Sequence, residues 1–166
     1  MNKQRGFSLI ELLIVVAIIL VIAAIAIPNM VRAKIMANEA SAVAGMRTIF
    51  TAEEAYDAQS WNNPTAVGFS TQLSDLGNAN CNPPTLNSAC LLDDNIANAT
   101  SSAHPKSGYF YTYKPITAGT KNTDFSLNAD PILRGSSGVR SFYSDTSGVI
   151  RYNVSANAQP TDPPLQ

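Results

Sequence analysis

Residues Phe7–Ile27 read FSLIELLIVVAIILVIAAIAI, twenty-one positions broken only by Ser8 and Glu11. Leu12 to Ile27 is uninterrupted apolar sequence, and at about 1.5 Å rise per residue the whole stretch makes a helix roughly 30 Å long, the thickness of a bilayer core. Lys3 and Arg5 stand before it with no acid among the first six residues. The positive-inside rule then keeps the amino terminus in the cytoplasm and carries everything after Pro28 across. Beyond Pro28 the apolar run gives way to a different pattern. Val31, Ile35, Val43, Met46, Phe50 and Tyr56 recur at helical intervals, with Arg32, Lys34, Glu39, Arg47, Glu53 and Glu54 between them. This predicts an amphipathic helix rich in alanine, which lets neighbouring helices approach closely. One helical unit is expected from Phe7 to Gln59, bent or locally interrupted at Pro28, whose ring removes a backbone donor. Such a helix is about 80 Å long, too long for a head of this size to bury, so its first half needs lipid or other subunits.

Glu11 is the anomaly. A carboxylate inside a spanning segment costs several kcal/mol and calls for a partner. Arg5 and Lys3 are six and eight residues away, poor helical spacings for contact, so the expected partner lies on another chain. A cleaved secretory signal is the competing reading, with Ala24-Ile25-Ala26 as its processing site. The length of the apolar run and the position of Glu11 stand against it, since cutting at Ala26 would discard both.

The run Arg5-Gly6-Phe7-Ser8-Leu9-Ile10-Glu11, followed by unbroken apolar sequence, resembles the processing signature of the type IV pilin family, which includes the pseudopilins of type II secretion. The resemblance implies a prepilin peptidase cutting between Gly6 and Phe7, with N-methylation of the new Phe7 amine. It implies that the leader 1–6 leaves with both amino-terminal cations, and that the ammonium so created in a neighbouring subunit is the partner of Glu11. Pro28 matches a family position at which the helix loosens during assembly. The implied partners are further copies in a helical filament, the prepilin peptidase, an inner-membrane assembly platform, and membrane lipid before assembly.

The expected domains are 1–6 leader, 7–28 core helix, 29–59 amphipathic helix and 60–166 head. The head opens with a loop, 60–107, carrying turn signals at Asn62-Asn63-Pro64, Gly77-Asn78 and Asn82-Pro83-Pro84 and room for a short helical turn at Ser70 to Leu76. Strands are predicted at Gly108–Lys114, Asp124–Ala129, Ser141–Ser144 and Val149–Asn153. The last two flank Asp145-Thr146-Ser147-Gly148, a hairpin connection with glycine where φ is positive. The sheet region is 108–154 and the proline-rich tail 155–166 is expected to be extended and mobile. The fold class is α+β: a long amino-terminal helix as the spine of a small antiparallel sheet. Tyr109, Phe110, Tyr111 and Tyr113 read as core rather than a ligand site.

Cys81 and Cys90 are the only cysteines, nine positions apart in an exported, turn-rich stretch, and are expected to form a disulfide. The family more often carries its cysteine pair nearer the carboxyl terminus. Eleven basic residues against twelve acidic, without a long basic cluster, exclude nucleic-acid binding through a basic patch. His104 reads as a solvated loop histidine, and Asp93, Asp94, Asp124 and Asp130 as surface acids. No catalytic motif or metal-ligand spacing is present, so neither enzyme activity, metal nor cofactor is expected. The function expected is a structural pilus subunit serving adhesion, motility or DNA uptake, held in the inner membrane before assembly and at the cell surface after. A type II pseudopilin, or a secreted soluble binding domain released at Ala26, are the alternatives.

Overall fold

A computed structural model describes residues 7–59, 68–78 and 81–165. The chain falls into two units, divided between Lys34 and Ile35. Helix α1, Leu9–Ala58, contributes to both, and its helical run passes Pro28 unbroken, so the local interruption expected there is absent. One missing donor leaves the neighbouring bonds intact, and Asn29 donates its side-chain amide to the Ile25 carbonyl at 3.1 Å, adding a bond in the turn where the ring removes one.

In the first unit the large apolar side chains of α1 are all exposed, from Leu9 through Val31. In the second, α1 buries one stripe: Glu39, Ala42, Met46, Ile49, Glu53 and Tyr56, alternating three- and four-residue steps. Val43 and Phe50, expected on the buried face, flank this stripe, half-buried. Glu39 and Glu53, expected among the polar positions, lie inside it.

The head carries a 3₁₀ turn at Leu73–Leu76, within the stretch expected for one, and a one-turn helix α2 at Asp94–Ala97 that was not expected. Asp93 caps α2 by accepting the Asn95 amide, but four residues are too few to show a period. The segment read as loop also supplies core: Leu73, Leu76, Ala89, Leu92, Ile96 and Ala97 are buried. Within the loop predicted for 60–107, residues 60–67 and 79–80 lie outside the described residues.

Strands β1 (Tyr109–Ala118), β2 (Lys121–Pro131), β3 (Ser141–Asp145) and β4 (Arg151–Asn153) form an antiparallel meander in sequence order. The first two run longer than predicted, and β4 starts two residues later. Register brings Tyr111 opposite Ala129, Tyr113 opposite Leu127, Ala129 opposite Phe142 and Phe142 opposite Tyr152. These side chains share one face, and Phe125 joins them in edge contact with Phe69 and stacked on Tyr113. Tyr109 and Tyr111 are core, as expected, with Tyr113 packed against it, while Phe110 is half-buried outside that cluster, and Gly148 takes φ +70° at the β3–β4 turn.

β1 is an edge strand and carries Pro115, a residue that spoils edge-to-edge pairing. The β4 edge is covered by the tail. Tyr152 N–H donates to the Pro163 carbonyl at 3.1 Å and Leu165 N–H to the Ile150 carbonyl at 2.7 Å. Ala158 is buried, and its carbonyl accepts from the Asn128 amide at 2.8 Å. The expected mobile tail is therefore a pinned one: prolines lack donors but keep the carbonyls that a sheet edge needs.

Helix and sheet approach closely at Gly45, where an added Cβ would lie 2.0 Å from the Tyr111 hydroxyl oxygen. Gly45→Ala gains helix propensity of about 1 kcal/mol but forces this overlap. We expect a net loss of about 2 kcal/mol in urea denaturation of the detergent-solubilised protein. Placing the same change in a Tyr111→Phe background should recover part of the loss, and no recovery would contradict the stated contact.

Candidate functional site

The functional residues indicated by sequence lie on α1. Phe7 precedes the helix and is exposed. Ser8 opens it, its carbonyl accepting from Leu12 N–H at 3.3 Å, while its own N–H donates to Glu11 Oε2 at 2.9 Å. Glu11 thus has a partner within its own chain, which the argument from Lys3 and Arg5 overlooked. The signal was legible: a serine three residues before a glutamate is the spacing of a capping box, in which the acid reaches back to the first orphan amide. Gly6 lies outside the described residues. Pro28 stands inside the exposed apolar run, far in sequence from Glu11.

Two carboxylates fix α1 in the head unit. Glu39, 5% exposed, accepts from Val139 N–H at 2.9 Å, Arg140 N–H at 3.0 Å and Arg140 Nε at 2.8 Å. Burial alone would raise its pKa, but the hydrogen bonds from Arg140 and Val139 and the guanidinium charge outweigh it and hold the carboxyl below its ordinary range. The guanidinium in turn lies 5.5 Å from the Phe142 ring and 5.7 Å from that of Tyr152, tying α1 to β3 and β4. Glu53, fully buried, accepts from Ser70 N–H at 2.9 Å and Ser70 Oγ at 2.6 Å. Here burial prevails over these bonds and pushes the carboxyl up.

Arg134 fastens the β2–β3 loop to the tail. Its guanidinium donates to the carbonyls of Val139, Val154 and Ala156 and to Ser141 Oγ. Cys81 and Cys90 are disulfide-bonded with their Cα atoms 5.6 Å apart. Asp130, expected at the surface, is instead 6% exposed, and its Oδ1 has no hydrogen-bond partner among the described residues. Burial raises its pKa, as suits a carboxyl that leaves one oxygen unbonded. Asp124 accepts from Thr146 Oγ and its neighbour's amide. His104 is exposed, beside Lys106 and Asn98 on an open concavity of about 610 Å³. Among the described residues no three His, Cys, Asp or Glu side chains are grouped to hold a metal.

With the exposed apolar helix and its capped start in place, comparison with known proteins shows what the chain is similar to. The model of the prokaryotic N-terminal methylation motif matches residues 1–27. The chain is 43% identical over 54 residues to the type IV major pilin protein PilA of Myxococcus xanthus, covering 32% of this chain and 24% of that one. It is 43% identical over 56 residues to the type IV wide pilus major component PilA4 of Thermus thermophilus, covering 34% and 43%. It is 34% identical over 64 residues to the type II secretion system core protein G of Escherichia coli, covering 39% and 44%. The chain therefore spans less than half the length of each of these relatives. No solved structure matches it. The prepilin motif stands on residues 1–27, and the likeness to pilins and a pseudopilin covers 32–39% of the chain, joined to an α+β architecture of long helix and four-stranded antiparallel sheet.

The buried acids give a pH test. A carboxyl whose folded pKa is raised contributes stability below its ordinary value of about 4.5 and loses it as pH rises through the folded value. Glu53→Gln should therefore gain on the wild type between pH 4 and 8. Urea midpoints of both proteins at the two pH values check this, and a gap that moves toward the wild type would refute it.

Proposed function

We propose that this chain is a structural subunit of a type IV pilus, made as a membrane-inserted precursor and polymerised through α1. The observation that carries the reading is the apolar run of α1, whose large side chains from Leu9 to Val31 are all exposed in the described protein. Water is not a tolerable surrounding for that surface. At about 25 cal/mol per Å² it is driven into lipid or against other helices. The precursor is held in the inner membrane as a single span, amino terminus in the cytoplasm, with the head beyond Pro28 on the far side. Assembly then moves it to the cell surface. The role is structural, without a reaction of its own.

The division of labour follows the chain: leader 1–6, core helix 7–28, amphipathic helix 29–59, and head 60–166. A prepilin peptidase cuts between Gly6 and Phe7, and the new Phe7 amine is methylated. The Glu11 carboxylate already accepts from Ser8 N–H, one residue from that amine. A carboxylate has lone pairs to spare beyond one hydrogen bond, so Glu11 can keep its cap and still take a neighbouring subunit's ammonium in the apolar core. Such a pair fixes register, because a charge left alone there is penalised by several kcal/mol. The inner-membrane assembly platform is the partner that moves subunits from lipid into the filament.

The second reading, a pseudopilin of a type II secretion system, is favoured by the likeness to the Escherichia coli core protein G. Amino-terminal sequencing and intact mass, on sheared surface material and on membranes separately, divide the readings. N-methyl-Phe7 in sheared filaments is the expected result. The same start found in membranes alone favours the pseudopilin, and a start at Ile27 refutes both. Glu11→Gln keeps the reach to Ser8 while removing the charge. It should leave membrane insertion intact and lower filament yield at least tenfold, the effect of roughly 1.4 kcal/mol per subunit.

A further inference from the structure

Among its described residues, the head unit leaves its large exposed aliphatics unevenly placed. Leu86, Ile116 and Val149 stand apart: the Leu86 carbonyl accepts from the Tyr56 hydroxyl, Ile116 lies opposite Asp124 between β1 and β2, and Val149 follows Gly148, which borders Phe50. Ile132, Leu133, Val139 and Val154 gather instead at the end where α1 enters the unit, and Met36, also exposed, lies one turn ahead of Glu39 there. The Asn38 side-chain amide donates to the Ser137 carbonyl at 2.8 Å, and Glu39 accepts from Val139 N–H at 2.9 Å, so the β2–β3 loop is held against the first turns of α1 in this unit. A single nitrogen of the Arg134 guanidinium donates to the carbonyls of both Val139 and Val154, which joins the chain leaving β4 to that loop. Leu133 is 63% exposed, yet its carbonyl accepts from Ser136 N–H at 3.1 Å and Ser137 N–H at 2.9 Å, so it stands out from a closed turn and not from a loose segment. Aliphatics held outward together mark a surface that something else covers.

The chain itself indicates what that is. Seven residues separate Asn38 from Val31, where the exposed apolar run of α1 ends, a leash of about 10 Å at helical rise. A surface leashed so closely meets the bilayer that holds the run at high effective concentration, and a weak contact is then enough. Charge agrees with this occupant. Residues 132–140 contain Arg134 and Arg140 and no acid, 151–160 contain Arg151 and no acid, and 28–38 contain Arg32 and Lys34 and no acid. The first acid beyond them on α1, Glu39, is buried and spent on Arg140 and Val139. Nothing in these stretches repels an anionic headgroup layer, and their cations are drawn to one. We propose that Ile132, Leu133, Val139 and Val154 form a second membrane contact of the precursor, seated in the headgroup layer of an anionic bilayer. The inference rests on the membrane-inserted reading above and adds to it the surface by which the head meets lipid.

The test uses full-length protein, with its disulfide intact, reconstituted at high dilution in vesicles of phosphatidylethanolamine and phosphatidylglycerol containing a headgroup spin label. A fluorophore is attached through Ser136→Cys, in the turn after Leu133, or through Val149→Cys. The Ser136 label should lose about half its emission to the spin label and the Val149 label almost none. Adding Leu133→Glu and Val154→Glu should return the Ser136 label to the Val149 level, because carboxylates do not enter an apolar contact unpaired. Replacing both lipids with phosphatidylcholine should weaken the contact about fivefold, the weight of one cation at an anionic surface. Equal quenching at the two positions would overturn the contact. A blue shift of the Ser136 label that comes only when the vesicles are crowded with protein, without quenching by lipid, would mean that a second copy covers the patch and would overturn it as well. A label at Val16→Cys, read against a spin label on the acyl chain, reports the span separately. If it is quenched while the Ser136 label is not, the contact alone fails; if it is not quenched, the membrane reading fails and the contact with it.

Discussion

Burying the stripe of α1 from Glu39 to Tyr56 takes two carboxylates out of water along with Ala42, Met46 and Ile49. Desolvating a carboxylate costs several kcal/mol unless its oxygens are met by donors, so the head has to bring donors to two places along the helix. The β2–β3 loop brings one set, the backbone amides of Val139 and Arg140 with the Arg140 guanidinium. The segment after the undescribed stretch 60–67 brings the other, the amide and hydroxyl of Ser70. These bonds lie about 20 Å apart along the helix axis, fourteen residues at 1.5 Å. Together they fix the azimuth of α1 under the sheet, which hydrophobic contact, being non-directional, leaves loose.

Fixing that azimuth has a consequence for the opposite side. Once Glu39 and Glu53 face inward, Ala37, Ala40, Ala44, Arg47 and Glu54 must face out. The head thereby presents a smooth strip of helix instead of covering it. The tail reinforces this: held by Arg134, Asn128 and the edge of β4, it runs beside the strip, with Leu165 at its margin. A tail free to move would lie over that surface and compete with any other occupant.

The fold was legible where local chemistry decides structure and obscure where distant groups do. The apolar run, the helix following it and the order of four strands come from period and turn residues, which act over a few positions. The Cys81–Cys90 bridge follows from there being no other pairing to choose. The buried glutamates were misread because a single sequence shows charge but not the donors that arrive from elsewhere in the chain, 100 residues away for Glu39 and 17 for Glu53. Their three- and four-residue spacing with Met46, Ile49 and Tyr56 was the clue, and it outranks polarity when partners exist. Asp130 was misread for the same reason. The tail was misjudged because prolines were taken as an obstacle to pairing, whereas an edge strand asks only for carbonyls and a few donors. The Ser8–Glu11 cap was within reach of the sequence, hidden because the membrane context drew attention to cations instead.

Cohesion along α1 has two different sources in the two units. In the apolar run, moving from lipid to a helix neighbour exchanges one hydrocarbon surrounding for another, so only packing and hydrogen bonds distinguish the two states. That makes the run easy to withdraw from a membrane but weak at choosing a register, since leucine, isoleucine and valine fit one another at many offsets. Register must come from the few polar groups on the helix. Glu11, whose carboxylate accepts from Ser8 N–H, is the polar group that stands at the start of that run. A carboxylate among aliphatic neighbours distinguishes one offset from the next more sharply than any length of aliphatic surface, because a slip of one turn would part its charge from a partner while leaving the apolar contact almost unchanged.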